Sequence, residues 1–280
     1  MLEFGSHYID AAKAPTENIG KIKLYQPEDF EGMRAAGRLA AETLDFITPY
    51  VKEGVTTGEL NDLCHTFITD RNAVPAPLNY RGFPKSICTS INHVVCHGIP
   101  GDRKLMKNDI MNIDITVILD GWFGDTSRMF TIGKPKVKAK KLIDVTYEAM
   151  IRGIQQVKPG AHLGDIGAAI QEYVEAQRYS VVRDFCGHGL GRVFHDMPNV
   201  LHYGNRGEGP ELRPGMFFTI EPMVNIGTKE VKILADDWTA VTTDRSLSAQ
   251  FEHSCGVTED GVEIFTVSPA GLHQPPYNQD

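Results

Sequence analysis

The alternation of apolar and polar residues is strictest from Ile110 to Leu119. There Met111, Ile113, Ile115, Val117 and Leu119 form one face, and Asn112, Asp114 and Thr116 point the other way. Asp120-Gly121 is a turn dipeptide and a second run follows from Trp122 to Phe130, so the segment reads as a β-hairpin. A two-residue loop pairs Leu119 with Trp122 and hence Thr116 with Asp125. Asp125 is then the diagonal neighbour of Asp114 on one face, roughly 7 to 8 Å away between backbones. A solvated face with two ordinary aspartates would satisfy this pattern. Ile118 and Phe123 share the face, however, which favours a surface that lines something.

Helical spacing governs Phe30, Met33, Ala36, Ala40, Leu44 and Ile47, predicting a helix from Pro27 to about Tyr50. Beyond it the chain repeats itself. Val51-Lys-Glu-Gly54 with Val55-Thr-Thr-Gly-Glu-Leu60 parallels Val157-Lys-Pro-Gly160 with Ala161-His-Leu-Gly-Asp-Ile166, at an offset of 106 residues. Cys64 and Phe67 match Ile170 and Tyr173 at the same shift, while Asp114 and Glu221 lie 107 apart, as do Val117 and Val224. A helix, a turn, a second helix and an acid-bearing strand thus occur twice, which predicts two related halves facing one site. Residues 1–26 are expected to be a poorly structured arm, and 27–280 a single domain built on this repeat.

With 280 residues, 41% of them apolar, the chain can bury a substantial core. A net charge of −8 argues against a general nucleic-acid or membrane-surface binder. The local exception is five lysines between Lys134 and Lys141, which read as a solvated run entering a helix or, alternatively, as a weak contact with RNA or a ribosome. The first residues lack the features of a secretory signal, and no run reaches the roughly 18 apolar residues of a membrane span. Cys64, Cys88, Cys96, Cys186 and Cys255 are odd in number and form no C-x-x-C pair. Neither a disulfide framework nor a thiolate zinc site is indicated, which fits the reducing cytoplasm.

Several other residues carry candidate chemistry. Phe185-Cys-Gly-His-Gly-Leu-Gly-Arg-Val-Phe-His195 places His188 and His195 in what reads as a glycine-rich loop, although a pair of surface histidines would also fit. Its G-x-G-x-G spacing does not match a dinucleotide fingerprint. Glu221 falls in an apolar strand, where a free carboxylate is disfavoured. Glu252 stands at a strand start, and His97 between an apolar run and a turn. Asp114, Asp125, Glu221 and Glu252 with His188 make an oxygen-rich ligand set without thiolates, suited to two divalent ions of Co, Mn, Fe or Zn. Two such ions offset the repulsion of four clustered acids, and a water they share becomes a nucleophile for a carbonyl.

Asn112-Ile-Asp-Ile-Thr116, Gly124-Asp-Thr-Ser127, Gly187-His-Gly-Leu-Gly191, Phe194-His195, Thr219-Ile-Glu-Pro222 and Gln250-Phe-Glu-His253 together resemble the motifs of type I methionine aminopeptidases, in order, from about Pro27 to Val267. The resemblance implies an α/β pita-bread fold of two pseudo-symmetric halves, with a curved antiparallel sheet flanked by helices. It implies Asp125 and Glu252 as bridging ligands, Asp114 on one metal, and His188 with Glu221 on the other. A metal-bridging hydroxide would attack the carbonyl after an N-terminal methionine, with Glu221 shuttling the proton. His195 would bind the scissile carbonyl and His97 the peptide near the scissile nitrogen. Tyr80, Phe83, Cys88, Phe194 and Trp238 would surround the methionine side chain. The implied substrates are N-termini of nascent polypeptides with a small second residue, met by a monomer. Arg81 departs from the histidine of some bacterial relatives, and the arm lacks the cysteine-rich extension of eukaryotic ones. An Xaa-Pro peptidase of the same fold, or a non-catalytic binding protein built on it, remains the alternative.

Overall fold

The computed structural model describes residues 7–10 and 21–277. Four helices, α1 (Asp29–Ile47), α2 (Thr57–Thr69), α3 (Val137–Ile154) and α4 (Leu163–Ala176), cover one antiparallel sheet. Its main strands are β1 (Ile110–Leu119), β2 (Trp122–Thr131), β3 (Gly187–Gly189), β4 (Asp196–Val200), β5 (Phe217–Ile220) and β6 (Glu252–Val257). Their spatial order is β4-β3-β5-β6-β2-β1, with Val74–Pro75 and Cys88–Ile91 beside β1 and Val262–Ile264 beside β6. The sheet curls into half a barrel with the helices outside, as the pita-bread expectation requires.

The hairpin pairs Leu119 with Trp122 and Thr116 with Asp125. Asp120 (φ 50°) and Gly121 (φ 78°) both occupy the left-handed region that a two-residue turn of this twist demands. Met111, Ile113, Ile115 and Val117 are fully buried against Leu44, Ile47, Leu60 and Ile68 of α1 and α2. The polar face of β1 therefore looks into the concavity, where it meets other protein groups rather than bulk water.

A second core repeats the first across the molecule, with Leu142, Ile143 and Ile170 of α3 and α4 against Phe218, Ile220, Cys255 and Val257 of the sheet. Backbone bonds repeat as well. Gly54 N–H donates to Leu105 (2.9 Å) and Leu105 N–H to Val55 (2.8 Å); Gly160 N–H donates to Leu212 (3.0 Å) and Leu212 N–H to Ala161 (2.7 Å). Both second helices start alike: Thr56 N–H donates to Glu59 Oε2 and His162 N–H to Asp165 Oδ2, each at 2.7 Å. The pseudo-twofold runs between β2 and β6, where the halves join by pairing Glu252 with Ser127 and His253 with Thr126.

Three expectations change. Part of the 1–26 arm lies outside the described residues, but His7–Asp10 pairs with Lys21–Leu24, Ile22 is buried and Tyr25 stacks on Phe217 at 4.5 Å. Residues 21–26 thus belong to the packed body, held by aromatic burial that short-range spacing does not encode. The glycine-rich stretch is not simply a loop either, because Gly187–Gly189 forms β3. A Cβ on Gly189 would stand 2.0 Å from the Met197 carbonyl oxygen, so glycine there permits close strand approach rather than a turn. Finally, Glu221 lies one residue past β5, in the break before the strand Met223–Asn225. The five lysines between Lys134 and Lys141 are exposed, with Lys140 paired to Asp144 at 2.6 Å. All five cysteines are free. Among the described residues no helix is long and apolar enough to cross a membrane.

Candidate active site

Ser127, buried at the middle of the concave face, is the reference point for the acids around it. In the strand register Asp114 on β1 lies opposite Ser127 on one side and Glu252 on β6 lies opposite it on the other. Asp125 is two residues away on β2 and so shares their face. Asn112 fixes the floor, its Nδ2 donating to Ser127 Oγ (3.1 Å) and to the Gln250 carbonyl (2.9 Å). Asp125 Oδ1 accepts from Thr116 Oγ1 at 2.7 Å, and Ser254 Oγ donates to the Asp125 carbonyl at 2.7 Å.

The other half contributes His188 and Glu221. Thr219 Oγ1 donates to Glu221 Oε1 (2.7 Å) and accepts from the His188 backbone N–H (3.0 Å). Gln250 Nε2 donates to Glu221 Oε2 at 3.2 Å, while the Glu221 backbone N–H donates to Nε2 of buried His202 at 3.0 Å. His188 Nδ1 lies 3.0 Å from the Gly189 carbonyl, which can only accept, so Nδ1 carries a proton. Nε2 then faces Asp125 Oδ2 at 3.6 Å and Glu221 Oε1 at 3.8 Å.

Burial raises the carboxyls of Asp114, Glu221 and Glu252, and neighbouring acids add to it. Asp114 is pushed well above the usual range by desolvation and then by Asp125 and Glu221. Glu252 is pushed up in the same way, with Asp125, Glu221 and Asp114 all adding to it. Glu221 rises to about 7, mainly through burial and against the pull of His188. For His188 burial lowers the pKa, but Asp125 and Glu221 outweigh it and the net shift is upward. Four clustered acids, of which Asp125 and Glu252 are buried and Asp114 and Glu221 half-buried, are satisfied either by protons or by cations. Ligand atoms of Asp125, His188 and Glu252 all lie within 4.8 Å of one another. An imidazole steered by the hydrogen bond at its other nitrogen and the nearby carboxylates of Asp125 and Glu252 fit a divalent metal ion, and Asp114 and Glu221 line the same cavity just outside that group.

Around this cluster a cavity of ≈ 360 Å³ opens to solvent and is lined by every candidate ligand, catalytic and substrate-binding side chain of the sequence analysis. Phe83 meets Trp238 edge-on at 5.2 Å and Tyr80 packs on Phe194 at 4.7 Å, giving an apolar recess that Cys88 also lines. His97, in the left-handed region at φ 56°, is edge-on to Phe185 (5.4 Å) and Trp238 (6.1 Å), and burial lowers its pKa. His195 Nδ1 is 3.0 Å from the Tyr80 hydroxyl, and its ring centroid is 4.2 Å from that of His188. Desolvation, followed by His188, His97 and Arg81, pushes the His195 pKa down to about 3 and keeps the ring neutral.

Some supporting residues carry a sequence signal and one carries none. Thr116, Thr219 and Gln250 sit within the motifs quoted above, two residues from an acid and hence on its face wherever the strand is regular. His202 reaches Glu221 across 19 residues outside any periodic pattern.

A model of metallopeptidase family M24 matches residues 31–259. The chain is 65% identical over 257 residues to a methionine aminopeptidase of Rickettsia prowazekii (strain Madrid E), covering 91% of this chain and 99% of that protein. A crystal structure of methionine aminopeptidase from Rickettsia prowazekii superposes with a TM-score of 0.87 at 65% identity, covering 88% of this chain and 99% of the other. The prolidase of Pyrococcus horikoshii OT3 gives a TM-score of 0.68 at 18% identity, covering 87% of this chain and 63% of the prolidase, a likeness of fold alone.

Proposed function

Because the chain belongs to metallopeptidase family M24 and, within it, to the methionine aminopeptidases, we propose that it removes the N-terminal methionine from nascent proteins and peptides with a small second residue. The observation that carries this reading is the junction of two features in one cavity: a buried carboxylate and imidazole cluster, and beside it an apolar aromatic recess.

Asp114, Asp125, His188, Glu221 and Glu252 would hold two divalent ions of Co, Mn, Fe or Zn. When bound, the ions would supply Lewis acidity and make a nearby water a better nucleophile. Tyr80, Phe83, Cys88, Phe194 and Trp238 hold the methionine side chain, whose flexible thioether suits aromatic walls. Thr219 and Gln250 orient both oxygens of Glu221, which takes the proton from the attacking water and hands it to the leaving nitrogen. Neutral His195 is held by its Nδ1 contact with the Tyr80 hydroxyl, and in the tautomer that carries its proton on Nε2 it offers that N–H to the scissile carbonyl, where negative charge develops. His97 contacts the peptide beside the scissile nitrogen. The reading places the protein in the cytoplasm, acting as a monomer on chains leaving the ribosome.

Incubation with Met-Ala-Ser and with Xaa-Pro peptides tests the substrate class. Free methionine is expected from the former, and exclusive cleavage of the Xaa-Pro peptides would sink the proposal.

A further inference from the structure

Arg81 is a cation at the mouth of the cavity that the chemistry above does not use. It is exposed, lines the cavity beside Tyr80 and His195, and among the described residues makes no ion pair. Its guanidinium lies 5.3 Å from the centroid of the Tyr80 ring. Its backbone is left-handed (φ 47°, ψ 30°), between Asn79 at φ 66° and Gly82 at φ 90°. Such a conformation costs a residue with a side chain on the order of 1 kcal/mol, and such strain gathers at functional sites.

The turn that holds Arg81 is well anchored. Asn79 N–H donates to the Phe83 carbonyl at 2.8 Å and Phe83 N–H to Tyr80 at 2.9 Å. Tyr80 is itself fixed by His195 and Phe194. Asp184 is the one carboxylate outside the metal cluster that lines the same cavity, and it too is exposed.

A peptide whose amino end faces the carboxylate cluster and whose methionine fills the recess must leave through this mouth. Resting on the aminopeptidase reading, we propose that Arg81 is a specificity-determining residue favouring substrates with a carboxylate shortly after the cleaved bond. The group is either an acidic third residue or the terminal carboxylate of a short peptide. A guanidinium offers a planar fork of donors that matches a carboxylate with two parallel bonds. Solvent exposure limits the gain to about two- to fivefold, the range of exposed ion pairs.

The test compares kcat/KM for methionine release by the wild-type protein, R81A and R81E. The substrates are Met-Ala-Asp-Ala amide, Met-Ala-Lys-Ala amide, and Met-Ala-Ser as free acid and as amide. The wild type should prefer the carboxylate-bearing member of at least one pair by about two- to fivefold, through KM, and lose the preference near about 0.5 M salt. R81A should abolish the preference and R81E reverse it, a result that mere support of the turn would not give. Preference within the tetrapeptide amides alone identifies the side chain as the ligand, and preference within the Met-Ala-Ser pair alone identifies the chain terminus. Equal charge preference in all three proteins, or none in a wild type that releases methionine readily, overturns the proposal. Failure to release methionine from any of these peptides removes the aminopeptidase reading itself.

Discussion

Asp125 accepts from the Thr116 hydroxyl and faces His188 Nε2 at 3.6 Å, while Thr126 Oγ1 donates to the Glu252 backbone carbonyl, and neither acid is paired with a lysine or arginine among the described residues. Asp125→Asn and Glu252→Ala are expected to cut turnover by at least about 100-fold and to lower metal content, without lowering the melting temperature of the metal-free protein. Buried acids that repel one another give no net stabilisation when no cation is present. A marked loss of metal-free stability in either variant would argue that these acids hold the fold instead. Thr116→Val removes the hydroxyl that donates to Asp125 and is expected to weaken metal affinity about 10- to 100-fold, read by competition with a chelating dye. At this scale the sequence is informative wherever two-residue alternation applies, as for Asp114, Thr116 and Asp125. It is silent where residues meet across unrelated segments, as for His202 beneath Glu221.

Between elements, backbone proximity matters as much as side-chain pattern. Gly124 lets α1 lie directly on β2, since a Cβ there would stand 2.3 Å from the Ala36 carbonyl carbon. Gly124→Ala should therefore destabilise the protein by about 1 to 3 kcal/mol by overpacking, measured by denaturant unfolding, and an unchanged midpoint would contradict this packing. The hairpin register was legible because Asp120-Gly121 fixes the loop and alternation fixes the face. Strand β3 was not, because three residues ending in glycine carry no periodicity and pair only through neighbours far along the chain. The break that places Glu221 past β5 was hidden for a different reason. Pro222, which has no N–H to donate, marks that break in the sequence, although the apolar residues around it read as one continuous strand.

Across the whole molecule, the offset of 106 to 107 residues announced two halves, and the structure gives each its own core, with Asp114 and Asp125 in the first half and His188, Glu221 and Glu252 in the second. Metal binding should couple the halves and make stability depend on pH. Glu221 is raised from 4.5 to about 7, and Asp114 and Glu252 are raised too. The folded metal-free protein therefore holds protons that the unfolded chain has lost, and these acids cost it stability progressively as pH climbs from about 4.5 to about 7. Buried His202 and His253, each lowered to about 3, work in the opposite sense below 6.5, in metal-free and loaded protein alike. The gain in melting temperature on adding a divalent cation should therefore grow across that window, and a gain independent of pH would refute the linkage. The most direct test of the central claim is methionine release from Met-Ala-Ser after thorough chelation, followed by reconstitution with single divalent metals. The account predicts activity lost on chelation and restored in step with metal bound at the Asp125, His188 and Glu252 cluster. Full activity in the metal-free protein would contradict it.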